Sequence, residues 1–234
     1  PIGVQRNKLL AAIPQRERDA LAPKLKLVEF KVGEILHEQH VAIRDAYFVL
    51  EGLVSEIKVL NDGRSVELAV VSRDGLTGTP ALLSEAGSPL RNFSQIAVTA
   101  MQISVADLQW AVRELPTLQR FVFAYMQLQL LEIAQCGACN RLHEVEERLA
   151  RWILLTANRL GRDEFSMTQD FMAEMIACQR PTLTIAAGML QRAGFINHKR
   201  GYIRISDRKG LEASACECYH TLERQIAALT DYKV

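Results

Sequence analysis

Seven Lys or Arg residues (180, 192, 199, 200, 204, 208 and 209) fall between Arg180 and Lys209 against one acid, Asp207, in a chain whose overall charge is only +1. Cations gathered on one stretch suit the neutralisation of phosphates, so the chemistry on offer there is the binding of a polyanion. An ordinary helical hairpin with a solvated basic face is the plainer alternative. Sulfur and imidazole form a second group. Cys136, Cys139 and His143 stand at i, i+3 and i+7 and share one helical face, where soft ligands could converge or thiols could oxidise across a symmetry axis. Packing of small hydrophobic Cys side chains in a helix seam is the preferred reading of them, and no metal is expected. Cys216-Glu217-Cys218 with His220 is an isolated Cys-x-Cys, and Cys178 is expected in the core. Catalysis is not expected. There is no Ser-His-Asp order, no pair of carboxylates at a strand end and no phosphate loop, and the CxxC lacks a βαβ context.

The elements that would position the basic stretch follow from spacing. Thr168 can N-cap a helix whose apolar face is Met172, Met175 and Ile176. Ala177-Cys178-Gln179 reads as a turn, and Arg180-Pro181-Thr182 opens a second helix, where proline is tolerated. Leu183, Ala186, Ala187 and Leu190 form its inward stripe, leaving Arg180, Thr184, Ile185 and Gln191 outside until Gly194 ends it. Phe195-Ile196 and Tyr202-Ile203-Arg204-Ile205 then flank the cationic tip His198-Lys199-Arg200-Gly201. That order predicts a winged helix-turn-helix.

Upstream, apolar residues alternate with period two from Leu27 to Ala106. Gly33 and Asn61-Asp62-Gly63 supply turns, and Ser94 to Val105 reads as a strand pair, which predicts a small antiparallel barrel or roll. A long helix follows from Leu118 to about Arg141, with Phe121, Tyr125, Leu128, Leu131 and Gln135 along one stripe. A broad apolar stripe needs cover, and the economical partner is the same helix of a second copy.

Roll, long helix and winged helix-turn-helix together resemble the Crp–Fnr family of bacterial transcription regulators over nearly the whole chain. Gly33, the run Tyr47-Phe48-Val49-Leu50-Glu51-Gly52, Gly63, Gly75 and Gly78 carry the likeness in the roll. Arg148-Leu149-Ala150, Thr168, the run Cys178 to Leu183, and residues 192–196 and 203–211 carry it downstream. The resemblance implies an α+β fold: a cyclic-nucleotide-binding-like antiparallel roll with a long dimerisation helix over 1–142, a hinge near Asn140 to Glu144, and a winged helix-turn-helix over 143–234. It implies a homodimer on a pseudo-palindromic site in double-stranded DNA, with half-sites about 34 Å apart. RNA polymerase is a further candidate partner. Arg180 is the implied base reader, bidentate to guanine, with a phosphate contact as the alternative. Gln179, Thr182 and Thr168 are phosphate-clamp candidates, and Lys199 and Arg200 are wing candidates. Thr184 and Ile185 face the groove, and Ile185 could touch a thymine methyl or simply pack. Pro181 and Ile185 replace a Glu and an Arg or Ser common in the family, so the operator should differ from the familiar consensus.

The same resemblance points to an effector pocket and the residues argue against its usual ligand. The family's ribose-binding Gly-Glu pair falls on Gly78-Thr79, its phosphate-binding Arg falls on Ser94, and its helix hydroxyls fall on Ile133 and Ala134. Arg91 is three residues early, and a loop shift could bring it in. A buried phosphate without a cation is costly, so a cyclic nucleotide is disfavoured, no cofactor is expected, and the effector is unknown. No N-terminal cysteine group exists for an iron–sulfur cluster, since residues 1–135 contain no Cys. His37 and His40 are the only imidazoles on the roll, and nothing else points to haem.

At 234 residues, with 49% hydrophobic, the chain has apolar material for two modest domains. No run reaches the roughly 18 apolar residues of a membrane span. The N-terminal segment is polar and amphipathic rather than a secretory signal, and five cysteines form no disulfide framework, so a cytoplasmic location is expected. A ligand- or redox-responsive module acting through Cys136 and Cys139 without DNA would explain the roll but leave residues 166–211 without a purpose.

Overall fold

The computed structural model describes residues 3–199 and 201–231. By internal contacts the chain divides into two units: residues 1–59, 69–131 and 226–234 form one, and residues 60–68 and 132–225 form the other. No helix among the described residues is long and apolar enough to cross a membrane.

The first unit opens with helices α1 (Lys8–Ala12) and α2 (Gln15–Leu21). Strands β1 (Lys26–Phe30), β2 (Ile35–His37), β3 (Asp45–Val59), β4 (Ser65–Val71), β5 (Leu76–Thr77) and β6 (Arg91–Ser104) follow. They pair in the order β1-β6-β3-β4, with β2 on β6 and β5 on β3. The segment from Ser94 to Val105 is therefore not two strands. Residues 94–104 lie within one long strand and Val105 opens the next helix, and the ladder that strand makes with β3 absorbs the irregular apolar pattern through register shifts around Gly52. Gly52 has φ 90, and a Cβ there would sit 2.1 Å from the Ala97 carbonyl oxygen, so the close approach of the two strands requires glycine. The Asn61-Asp62-Gly63 turn forms as the residue types dictate, with Gly63 at φ 85.

Helix α3 (Val105–Glu114) then leads into α4 (Pro116–Leu142), 27 residues long. The first amides of α4 would be unpaired, and the Glu17 carboxylate caps them, accepting from Thr117 and Leu118 at 3.1 and 2.9 Å. Phe121, Tyr125 and Leu128 are buried in the roll's own core beside Phe48, Leu76 and Leu118. This corrects the expectation that their stripe awaits a second copy: the roll covers it. Of the large apolar residues on α4, Phe123 and Leu130 are exposed on another face, and Leu142 is exposed at the helix end.

In the second unit the chain breaks at His143-Glu144, where the hinge was expected, and a capping box of Glu144 with Glu147 starts α5 (Val145–Leu160). Strand β7 (Glu164–Ser166), α6 (Gln169–Met175), α7 (Arg180–Arg192), β8 (Ile196–Lys199) and β9 (Tyr202–Ile205) follow, then α8 (Arg208–Ser214) and α9 (Cys218–Thr230). The wing is a three-stranded sheet in the order β7-β9-β8. Its third strand, β7, has too few residues to show a period.

A candidate nucleic-acid interface

Helices α6 and α7 are the expected pair. Thr168 caps α6, its hydroxyl oxygen accepting from the Phe171 amide at 3.3 Å. The helix ends when Ala177 takes a left-handed φ of 53, which turns the Cys178 amide back onto the Ala173 carbonyl at 2.9 Å. A glycine would adopt that conformation without strain, and the burial of Met172, Met175 and Ile176 just before Ala177 fixes the helix end that requires it. Helix α7 ends the same way, with Gly194 at φ 81 and the Phe195 amide donating to Leu190. Leu183, Ala186, Ala187 and Leu190 are its buried stripe. Cys178 is half-buried rather than core, because it lies in the exposed turn.

Outside this stripe the start of α7 is open. Gln179, Arg180, Pro181, Thr182, Thr184 and Ile185 are all exposed, Ile185 by 64%. The Arg180 guanidinium meets Asp170 across the turn, Nε to Oδ1 at 3.1 Å, with both side chains mostly in solvent. Thr184 Oγ1 lies 2.9 Å from Gln169 Oε1, and the Gln169 amide lies 3.4 Å from His198 on the wing. Gln191 accepts from the His198 backbone at 2.9 Å, so wing and recognition helix are held in one surface. Burial pushes the His198 imidazole below its usual range, against a backbone bond to Met167 that raises it. Among the described residues of the wing, Lys199 and Arg204 are exposed cations. Arg200 lies outside the described residues. Thr168 uses one acceptor lone pair on the cap, and its hydroxyl proton is not needed for that bond.

Gln191 was read from the sequence as outward-facing and His198 as part of the wing tip, but neither they nor Gln169 and Asp170 were offered as residues of the DNA site. Cross-helix partners depend on the angle at which α6 meets α7, and spacing along either helix alone carries no such information.

The roll interior is polar where the resemblance places the effector. Thr79 donates to Gln129 at 2.8 Å, Gln129 donates to Glu56 at 3.1 Å, and Asn92 donates to the other Glu56 oxygen at 2.6 Å, with all four side chains buried. Gly78 is left-handed at φ 81, and Ser94 is buried with its hydroxyl on the Ile96 carbonyl. Arg91 is paired in the ladder opposite Ile57, and its Nε meets Glu38 at 2.9 Å. Strand pairing fixes it there, so no loop shift carries it into the Ser94 position. Ile133 is half-buried and Ala134 exposed on the part of α4 that belongs to the second unit.

Comparison with known proteins matches residues 147–214 to the Crp-like helix-turn-helix domain and residues 27–113 to the cyclic nucleotide-binding domain. The transcriptional regulator SdrP of Thermus thermophilus is 30% identical over 196 residues, covering 80% of this chain and 93% of SdrP. The chain belongs to the Crp–Fnr family of transcription regulators. Two solved structures share its fold. FixK2 of Bradyrhizobium japonicum superimposes with a TM-score of 0.72 at 18% identity, over 82% of this chain and 98% of that one. TTHB099, a CRP-family regulator of Thermus thermophilus, gives 0.68 at 21% identity, over 80% and 96%.

As a Crp–Fnr regulator the chain is a DNA-binding protein. The cysteines of this Crp–Fnr chain do not form the i, i+3, i+7 trio weighed from the sequence as the alternative to packing. Cys136 turns away and donates to the Glu67 carbonyl at 3.2 Å. Seven helical residues rise about 10 Å, so Cys136 and His143 share a face without sharing a place. Cys139 and His143 instead meet Cys216 and Cys218.

Proposed function

We propose that this regulator binds a pseudo-palindromic operator as a homodimer, that Arg180 reads a base in each half-site, and that its roll answers a signal other than a cyclic nucleotide. The observation that carries the reading is the exposed start of α7, where Arg180 stands beside Gln179 and Thr182 on a helix anchored by its buried stripe. Helix starts of this kind enter the major groove, and a guanidinium there can bond guanine O6 and N7 together. A dimer is supported by the exposed positions of α4. Phe123, Leu130 and Gly137 recur every seventh residue, with Gln127 and Ala134 between them, all exposed. That is a heptad seam, and a second α4 is the surface it matches.

Against a cyclic nucleotide stands the Glu56 carboxylate, buried in the network with Thr79, Gln129 and Asn92. A cyclic phosphate placed beside it would add a second negative charge where Ser94 supplies no cation.

Mapping of bound genomic sites tests the reading directly. The expected result is an inverted repeat with half-site centres one helical turn, about 34 Å, apart. Asymmetric sites occupied by single chains would overturn the dimer. Lys199→Ala should weaken binding about equally on all sequences and lower the salt slope by about one. Millimolar cyclic AMP or cyclic GMP should leave the melting temperature unchanged, because a ligand of the folded state would raise it.

A further inference from the structure

Cys139 lies in the last turn of α4, His143 just beyond that helix, Cys216 between α8 and α9, and Cys218 at the first residue of α9. Their ligand atoms, three Sγ and one imidazole nitrogen, all fall within 4.8 Å of one another. Cys139 Sγ stands 3.5 Å from Cys216 Sγ, and Cys218 Sγ stands 3.5 Å from His143 Nδ1. The three thiols are buried and His143 is half-buried. We propose that these four side chains form a mononuclear tetrahedral site for a soft divalent cation of the Zn(II) class, which ties the end of α4 to the α8–α9 junction.

Geometry selects the ion type. Zinc bonds to sulfur and nitrogen of about 2.3 and 2.0–2.1 Å place the corners of a tetrahedron roughly 3.5–3.8 Å apart. The two pairs already stand at that separation, and the remaining atoms need only a small contraction. A cluster of several irons carries its thiolates outward on separate metals and needs a wider cage. Three thiolates and one neutral imidazole match the Cys3His set of structural zinc, and such closed sites leave no position for a substrate.

The surroundings fit a site with net charge −1, the sum of three thiolates and one dication. Arg151 is buried near Cys136 as well as Cys139, Cys216 and Cys218, and has no hydrogen-bond partner for its Nε. A guanidinium in that place offsets the remaining negative charge. Gln135 donates to Cys218 Sγ at 2.9 Å, the kind of outer hydrogen bond that orients a thiolate ligand. A seam of small hydrophobic thiols would call for neither a buried Arg nor an imidazole. Metal entry displaces the protons of the thiols, so uptake releases them to solvent.

The consequence is mechanical. Cys139 and His143 flank the start of the α4–α5 break, and Cys216 and Cys218 belong to the segment after the wing, so an ion holds the break in one geometry. The site is separate from the DNA-reading surface, and its loss and the loss of DNA reading are measured independently.

The test uses the full chain purified under reducing conditions. Elemental analysis should find about one zinc per chain. Cobalt(II) exchanged into it should give the intense visible absorption of a tetrahedral site with thiolate charge transfer. Cys139→Ser, Cys216→Ser and Cys218→Ser should lose the metal, whereas Cys136→Ser and Cys178→Ser should keep it. If the ligand variants fail to fold, stoichiometry and the cobalt spectrum of the unaltered chain decide alone. A reduced chain that takes up neither zinc nor cobalt overturns the proposal, as does iron accompanied by inorganic sulfide.

Discussion

Arg180 and Asp170 face each other across the helix-turn-helix turn, Nε to Oδ1 at 3.1 Å, with roughly two thirds of each side chain in solvent. An ion pair so exposed contributes about 0–1 kcal/mol, so it parks the guanidinium without holding it back from DNA. Arg180→Ala should weaken specific binding by about 1–3 kcal/mol and relax one position of the site. Asp170→Asn removes a carboxylate from the phosphate-facing surface and should strengthen binding while leaving the preferred sequence alone. Titrations of specific and random duplexes at fixed salt read both. Arg180→Ala with unchanged specific affinity would remove it from the reader role.

Arg148 is buried, and its Nη1 donates to the carbonyls of Asn140 at 3.1 Å and Ile176 at 3.0 Å. One side chain thus joins the last turn of α4 to the end of α6. Arg148→Met keeps the apolar stem and leaves both carbonyls without this donor, at a cost of about 1–3 kcal/mol for each that stays dry. The urea midpoint should fall accordingly. A midpoint within about 0.5 kcal/mol of the unaltered chain would show that water replaces the guanidinium.

His37 is buried with Nε2 2.9 Å from the Thr77 hydroxyl, and desolvation lowers its pKa from 6.5 to about 4. The folded state keeps the ring neutral where the unfolded chain binds a proton. Stability from this source is therefore complete above pH 6.5 and is lost as pH falls from 6.5 toward 4, by roughly 3 kcal/mol at most. His37→Gln should flatten the pH dependence of the urea midpoint in that window. Parallel profiles for both proteins would assign the acid sensitivity to other groups.

The winged helix-turn-helix was legible because local rules specify it almost completely: Thr168 as cap, Pro181 in a first turn, Gly194 at a helix end, and a four-residue buried stripe. The strands were legible by period, but β6 read as a pair because its register shifts beside Gly52 break the alternation. Long-range meetings left no mark in the spacing. Cys139 and Cys216 are neighbours across 77 residues, and no local pattern announces that. The stripe of Phe121, Tyr125 and Leu128 was correctly seen as apolar and wrongly left uncovered. Periodicity shows that a face is buried and does not say against what.

The seam of α4 yields the last test. Phe123 is 51% exposed and Leu130 68%, one heptad apart. Burying a Leu or Phe side chain contributes about 1.5–3 kcal/mol, and symmetry counts each residue twice, so this pair alone supplies a large share of a dimer's stability. Leu130→Glu places a carboxylate opposite its own copy, adding repulsion to the lost burial. Sedimentation at micromolar concentration should show a dimer for the unaltered chain and a monomer for the variant, with affinity for a palindromic site falling in step. Leu83 is equally exposed, at 74%, but stands in the roll outside the heptad. Leu83→Glu should leave the dimer intact, which separates loss of a seam from a general effect of surface charge. A Leu130→Glu chain that still sediments as a dimer would place the contact elsewhere.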